Sequence, residues 1–560
     1  MTQLATDKFD REAFLERLER VDRLPGPVDR REMIRRVLDR GSKRVDVKTI
    51  QRLAGLHSSS RAAPALASPW PKPEGWHGSA FVDPPPGFEN LPPRSTRSRK
   101  VFNGKELHPC TNDVLRRLVD RTTFGFSWEE LDYAYTNGYE AYLEWQLDFE
   151  AIDDSELDAR LTEFVTLTES PRELMIRAWQ NDDYSMIWEL LFATVLRQAT
   201  SKRQLYERVV EFLSDHLNIY LFKDGTEFLK VVDDREVIRK HAFGKFSDLL
   251  MASAKSPAMI TYLDGAFNFA WAPNQNYARE IQELHTVGVD NFTQQDMLEV
   301  ARCFTGWTIN YDFESPTLGE FDFEPYWHDD GVKLVHGEQI GPNGGVTDGE
   351  RVVEILCHGV HAGPLTARFL SRKMAVRFWG EDPPEALVDE LAQTYFDTGG
   401  EIKAMLRVVL SERWLRCAKP RLKRPTHLAL SMIRAIPSHM FAFWAPIYLM
   451  DLMGQVPYFW EGPDGYPEST AYWSGHILPR WRYGFSMLQE QVDVWFDYSP
   501  FLKSTPEEIV EAIDIYLFGG YMPRTERNEL LEYLGEPPID STLILEAIGL
   551  AIASPAFQQY

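Results

Sequence analysis

SWEELDYAYTNG, residues 127–138, reads as one complete helix with both of its ends written in. Ser127 stands at an N-cap, and Glu130, three residues on, has the spacing to bond back to it, which is a capping box. Gly138 supplies the stop, because helices commonly end on a left-handed residue that glycine adopts without strain. From about residue 101 onward the same punctuation recurs, with apolar residues every three or four positions. Asp154 or Ser155 opens a second helix running through Leu161. Amphipathic stretches follow near 184–198, 202–222, 234–254, 276–287, 294–307, 349–357, 364–379, 385–397, 400–411, 424–436, 505–517 and 540–552. Strand signals are scarce. Residues 309–347, rich in Gly, Asp and aromatics, form the main irregular insertion, with room for a short hairpin, and Gly454 to Trp473 form a second. The expected fold is all-α: a multi-helix bundle with long irregular loop insertions and at most a short hairpin. Long ordered loops in a compact domain serve binding more often than packing.

Composition agrees with a large folded body. The chain has 560 residues, 44% of them hydrophobic, with 16 Trp, 22 Tyr and 33 Phe to supply buried area. Length alone suggests two to four domains. The formal net charge is −24, which repels nucleic acid and anionic membrane, so neither is an expected partner. That charge is uneven: residues 1–61 hold 15 Lys/Arg against 10 Asp/Glu, a net of +5, which leaves −29 for the rest. Residues 1–57 read as a basic helical N-terminal arm, in which Phe14, Leu18 and Val21 share one face and Met33, Ile34 and Val37 another. Residues 58–100 read as a linker, with nine prolines including Pro84-Pro85-Pro86. Residues 101–560 are the expected helical body.

Cys110, Cys303, Cys357 and Cys417 are widely spaced, with no CxxC pair, so neither a disulfide framework nor a zinc knuckle is expected. Met1 to Asp22 is charged throughout and lacks the apolar core of a signal peptide, so as written the chain is expected in the cytoplasm. Met440–Met453 is the most apolar run. It is too short to span a bilayer and is interrupted by Pro446 and Asp451, so a buried helix and turn is expected and no transmembrane segment.

Several stretches resemble one family in order and spacing. FSDLLMASAKSPAMITYLDG (246–265), NQNYAREIQELHTVGVDNFTQQDMLEVARCFTGW (274–307) and FDFEPYWHDDGVK (321–333) form the centre of the match. LRRLVDRTTFG (115–125), ERVVEFLSDHLNIY (207–220), MGQVPYFWEGPDGYPE (453–468) and YWSGHILPRW (472–481) extend it. Together they are similar to the domain-of-unknown-function 1800 family of bacterial helical proteins, over roughly residues 112–500. The resemblance implies a helical fold and no agreed activity. It also implies a partner resembling the domain-of-unknown-function 1501 family, often encoded alongside, and frequent export. Two departures stand out: no leader is evident, and Leu213-Ser214 occupy positions where the family often has Trp-His, so only His216 of that motif carries over.

Four places have the residue types for chemistry, and each also has a plain structural reading. Glu280 and Glu283 lie about 60° apart on a helix, close enough to share a ligand, or to pair with arginines such as Arg279 and Arg302. Regular helix geometry turns His285 about 160° away from Glu283, so it is left out of the set. His216 shares a face with Phe212 and Tyr220, as a core histidine bonded to a carbonyl or as a ligand or base. In Trp327-His328-Asp329-Asp330-Gly331, a turn places His beside carboxylates; an Asp–backbone turn would look the same. Gln455, Tyr458, Trp460, Asp464 and Tyr466 have the aromatic character of a site for a small-molecule or saccharide ligand, or of a loop packed on its own rings.

No HExxH, GxSxG, GxxxxGKS/T or CxxCH is present, and GPNGG at 341–345 reads as a turn. The expectation is therefore a metal-dependent enzyme, a hydrolase or an oxidoreductase. His216, Glu280, Glu283, His328 and Asp329 would form its site, and His216, Glu280 and His328 would hold a divalent metal of unknown identity. The alternative is a non-catalytic ligand-binding or accessory protein working with a partner.

Overall fold

The computed structural model describes residues 113–223, 225–490 and 493–560; the expected arm (1–57), the linker (58–100) and Cys110 lie outside the described residues. Helices take up 62% of the described residues. Trp128–Asn137 is the helix read from its own punctuation: Ser127 accepts from the Glu130 amide, Glu130 bonds back, and Gly138 ends the turn at φ 88°. Glu130 is also buried, where it takes a 2.6 Å bond from the Arg434 guanidinium. A local capping signal thus doubles as a long-range tie. Capping boxes at Ser170/Glu173 and Thr293/Asp296 start two further helices in the same way.

One continuous apolar cluster runs from Leu118 to Phe557. At its centre lies Pro425–Ala435, every residue of which is buried, packed among Ser185–Thr200, Trp444–Leu452 and Ile477–Glu490. A helix surrounded on all faces must be apolar or internally satisfied. Arg434 on it is satisfied by Gly125 O, Ala199 O at 2.8 Å and Glu130. Val346–His358, Ala362–Phe378, Glu385–Thr398 and Ile402–Val409 pack in succession beside this centre, and Ile477–Glu490 lies along Ser541–Ala553. Among the described residues no helix is long and apolar enough to cross a membrane. The 440–453 run forms the mostly buried helix Trp444–Leu452.

Strands are few and short. Trp307–Ile309 pairs antiparallel with Phe321–Phe323, and Lys333–Val335 with Glu338–Ile340, both inside the irregular insertion. A third pairing, Ser438–Met440 with Val494–Phe496, joins distant segments. Three α-helices run on into π-turns: Asp234–Arg239, Ile281–His285 and Asp514–Phe518.

Candidate functional site

His216 closes the helix Gln204–His216, its ring stacked on Phe212 one turn back, with centroids 6.2 Å apart. Its Nε2 donates to the His285 carbonyl at 3.1 Å. A carbonyl only accepts, so Nε2 carries the proton and Nδ1 is the bare nitrogen. Nδ1 is buried and has no hydrogen-bond partner among the described residues.

His285 arrives by an irregular turn. Gln275–Glu280 is α-helical, and Ile281–His285 continues as a π-helix, closed by Thr286 Oγ1 donating to Ile281 O at 2.6 Å and by the Gly288 amide donating to Gln282 O at 3.0 Å. The wider turn swings His285 inward, where a regular helix would carry it to the far side. Its ring lies 6.2 Å from that of His216, and both of its nitrogens are buried and partnerless. The 3.6-residue turn that would carry His285 to the far side gives way here to the wider π-turn.

Lys373 on Ala362–Phe378 faces both rings. Its ammonium sits 5.5 Å from the Phe369 ring centroid and has no hydrogen bond or salt bridge among the described residues. Burial pulls it down to about 8, against the opposing charges of Asp215, Glu468 and Asp464. Burial, aided by the Lys373 charge, lowers His285 to about 3 and drives His216 well below the usual imidazole value. Both histidines are neutral.

Two carboxylates lie on the segment that leads into His285. Glu280 and Glu283 are half-buried, and neither makes a hydrogen bond or salt bridge among the described residues. Arg302, one arginine considered for them, instead grips Asp329 and Glu299. Partial burial raises the Glu280 carboxyl, with Glu283 and Asp464 adding like-charge repulsion and Arg279 opposing. Asp464 acts on Glu280, on Tyr262 and on Lys373, so it lies between the two flanks.

The loop that brings Asp464 is tied over the end of the His216 helix. Asn218 donates to Trp460 O at 2.9 Å and Gly462 O at 2.7 Å, and Tyr262 donates to Glu461 O at 2.6 Å. Gly465, at φ 72°, passes so close to Asp215 that a Cβ would lie 2.0 Å from its carbonyl oxygen. Three of the five expected ligand residues are spent on this folding. Gln455 accepts from the Thr426 amide, Tyr458 bonds Asp234 and Thr194, and Tyr466 bonds both backbone groups of Val456. Trp460 and Asp464 remain at the rim, joined at 2.8 Å, and Trp460 meets the exposed Tyr472 ring at 6.0 Å.

His328 and Asp329 are built into another cluster. His328 Nδ1 donates to Thr305 O at 2.7 Å, and its Nε2 faces Asp348 and Lys333 at 3.1 and 3.3 Å. Lys333 and Asp348 form a buried ion pair beneath it. Asp329 is held bidentately by Arg302 and accepts from the Gly331 amide at 2.8 Å. His216 and His285 meet at one junction, with Glu280 and Glu283 on the same helix and π-turn that carry His285, and among the described residues His328 and Asp329 bond to none of them. Among the described residues no group of three or more His, Cys, Asp and Glu is gathered as metal ligands would be.

Behind Lys373 lies an ionic centre that sequence reasoning did not single out. Arg377 meets Glu468 at 2.6 Å and also Glu211; Arg421 meets Glu468 at 2.9 Å; Arg424 meets Asp215 at 2.8 Å. Burial raises Glu468, but Arg377, Arg424 and Arg421 outweigh it and hold the carboxyl far below its ordinary value. The signal was present as Lys373 and Arg377, one turn apart on the same helix, and as the basic run KPRLKRP at 419–425.

The family model described as "Protein of unknown function (DUF1800)" matches residues 117–559, most of the chain. No curated protein and no solved structure matches it.

Proposed function

The chain belongs to the DUF1800 family, whose description names no activity, and from the junction of its motifs we propose that the protein is a hydrolase working by general acid–base chemistry on a small polar substrate such as a saccharide. The observation that carries this reading is two ionisable groups with no hydrogen bond or salt bridge among the described residues, Glu280 raised and Lys373 lowered, with Asp464, itself bonded to Trp460, acting on both. Buried or half-buried charge is normally paired. An acid raised and an amine lowered toward neutral pH are what proton transfer to and from a substrate requires. Glu280 is the group to give a proton to a leaving oxygen, with Lys373 or Glu283 to take one from water. Trp460 and Tyr472 offer ring faces of the kind that hold a sugar.

A divalent metal fits these residues poorly. The nitrogens of His328 are engaged by Thr305, Asp348 and Lys333, Asp329 by Arg302, and His216 offers only Nδ1 beside the Lys373 charge.

The test is a panel of chromogenic glycosides, esters, amides and phosphoesters, assayed with the full chain between pH 6 and 9. One class should be turned over, and Glu280→Gln and Lys373→Met should each lower kcat/KM roughly 10²–10⁴-fold with little change in melting temperature. Chelator treatment should leave the rate unchanged. Turnover of no class, or turnover that survives both substitutions, would overturn the proposal.

A further inference from the structure

The family-like stretch LRRLVDRTTFG lies away from the junction, and it forms one wall of a separate open cleft of about 230 Å³. Arg116 and Asp120 line the cleft from the helix Val114–Thr122, and Phe126 follows them. The opposite wall is the segment 421–423 paired antiparallel with 558–560, through the Lys423 amide donating to Gln558 O and the Tyr560 amide donating to Arg421 O. Two side chains at the base stand out. Lys423 Nζ lies 3.2 Å from Ser431 Oγ, and Ser431 is its one hydrogen-bond partner among the described residues. Among the described residues no carboxylate pairs with Lys423; its ammonium rests 3.9 Å from the Phe557 ring centroid.

The backbone is shaped around the serine. Gly125, at φ 106°, passes directly over it, and a Cβ there would lie 2.4 Å from the Ser431 Cα. Any larger residue at 125 would push the wall off the serine, so this glycine sets the shape of the cleft base. Ser431 sits on the fully buried helix Pro425–Ala435, which fixes its position, and its hydroxyl donates to Leu428 O at 2.9 Å.

We propose that Ser431 and Lys423 form a nucleophile–base pair at which the cleft takes an ester or amide with a small, largely apolar acyl group. Once Lys423 has lost its proton and the Ser431 hydroxyl has turned from Leu428 O toward it, the free amine accepts the Ser431 proton as Oγ bonds to the acyl carbon. The bond from that carbon to the alcohol or amine then breaks, and the Lys423 ammonium protonates the departing group. Water, losing its proton to the same amine, attacks the Ser431 ester, releasing the carboxylic acid and restoring the hydroxyl. No metal or redox partner is needed, and the pairing of serine with a lysine base is chemically sufficient. Burial supports the protonation state. It lowers Lys423 to about 7, helped by Arg116 and Arg480 and opposed by Asp120, so the free amine is well populated at mildly basic pH. The rings of Phe126, Phe518 and Phe557 around the base explain the apolar acyl preference. The pair is independent of the Glu280–Lys373 junction.

The experiment is labelling of the full chain with phenylmethanesulfonyl fluoride between pH 6 and 9, with the adduct mapped by peptide mass spectrometry. A sulfonyl adduct on Ser431 is expected, forming faster as pH rises through 7 and slowed roughly 100-fold in Lys423→Met, whereas Lys373→Met labels at the wild-type rate. Absence of the adduct from the wild-type protein overturns the proposal, and so does equal labelling in Lys423→Met. If that variant does not fold, the wild-type rate decides: one that is flat from pH 6 to 9 also overturns it.

Discussion

His216, His285 and His427 are each 1% exposed, and burial keeps each imidazole neutral. Lys373 reinforces this at the first two, and Arg208, Lys423, Arg121 and Arg377 at the third. Their folded-state values are depressed, so below about pH 6.5 the unfolded chain takes up protons that the folded chain refuses. The contribution is complete above pH 6.5 and is lost on acidification, down to about 3 for His285. Each histidine should cost up to about 1.4 kcal/mol per pH unit in that window, with the raised carboxyls of Glu280 and Asp215 opposing. Urea unfolding between pH 8 and 4.5 should show stability falling with acid, with a gentler slope in His427→Gln. A flat profile would mean that these rings are already charged inside the fold. The inward face of His216 was legible in the sequence, because Phe212 stands one regular turn before it. That of His285 was not: the pattern of residues 275–288 fits a plain helix, and only the long-range bond to His216 shows the wider turn.

The 307–340 insertion folds as two strand pairs anchored on its neighbours: Lys333 and His328 meet the buried Asp348 of the helix Val346–His358, and His336 Nε2 lies 3.0 Å from Gln282 Oε1. Removing one member of a buried pair strands the other. Lys333→Met should therefore destabilise the protein by about 3–5 kcal/mol, and Asp348→Asn in the same chain should recover a large part of that. Neither change should alter turnover at the Glu280 junction. A loss of turnover at unchanged unfolding midpoint would instead place this unit in the active site. Most helices were legible because they carry their own start and stop, as Ser127, Glu130 and Gly138 do. The pairing of Ser438–Met440 with Val494–Phe496 was not, since two short strands so far apart leave no local pattern. The grouping of His328 with Glu280 rested on motif order alone. The turn at 328–331 instead bonds back to Thr305 and Arg302, on and just beyond the neighbouring helix Gln294–Cys303.

At the scale of the molecule, an acidic chain holds a concentrated group of cations in the interior of its described part. The chain carries a formal −24, yet Arg121, Arg208, Arg377, Arg421, Lys423, Arg424 and Arg480 are all buried, and Arg208, Arg377, Arg421 and Arg424 among them meet Glu211, Asp215 and Glu468. The run KPRLKRP would ordinarily be solvated. Here the edge pairing with 558–560 fixes its backbone and Glu468 receives its guanidiniums, which is why composition alone did not reveal it. Glu468 is the hub, meeting Arg377, Arg421 and Arg424 together. Glu468→Gln leaves those cations in the interior without their main counter-charge, so a loss of about 3–5 kcal/mol is expected in chemical unfolding. The same carboxylate also raises Lys373, so its removal favours the neutral amine there. If Lys373 is the base of the junction, the limb of the pH–rate profile that reports its deprotonation must move to lower pH in Glu468→Gln, even as the protein becomes less stable. A profile that stays in place while stability falls would assign that limb to another group and leave the arginine centre a purely structural device.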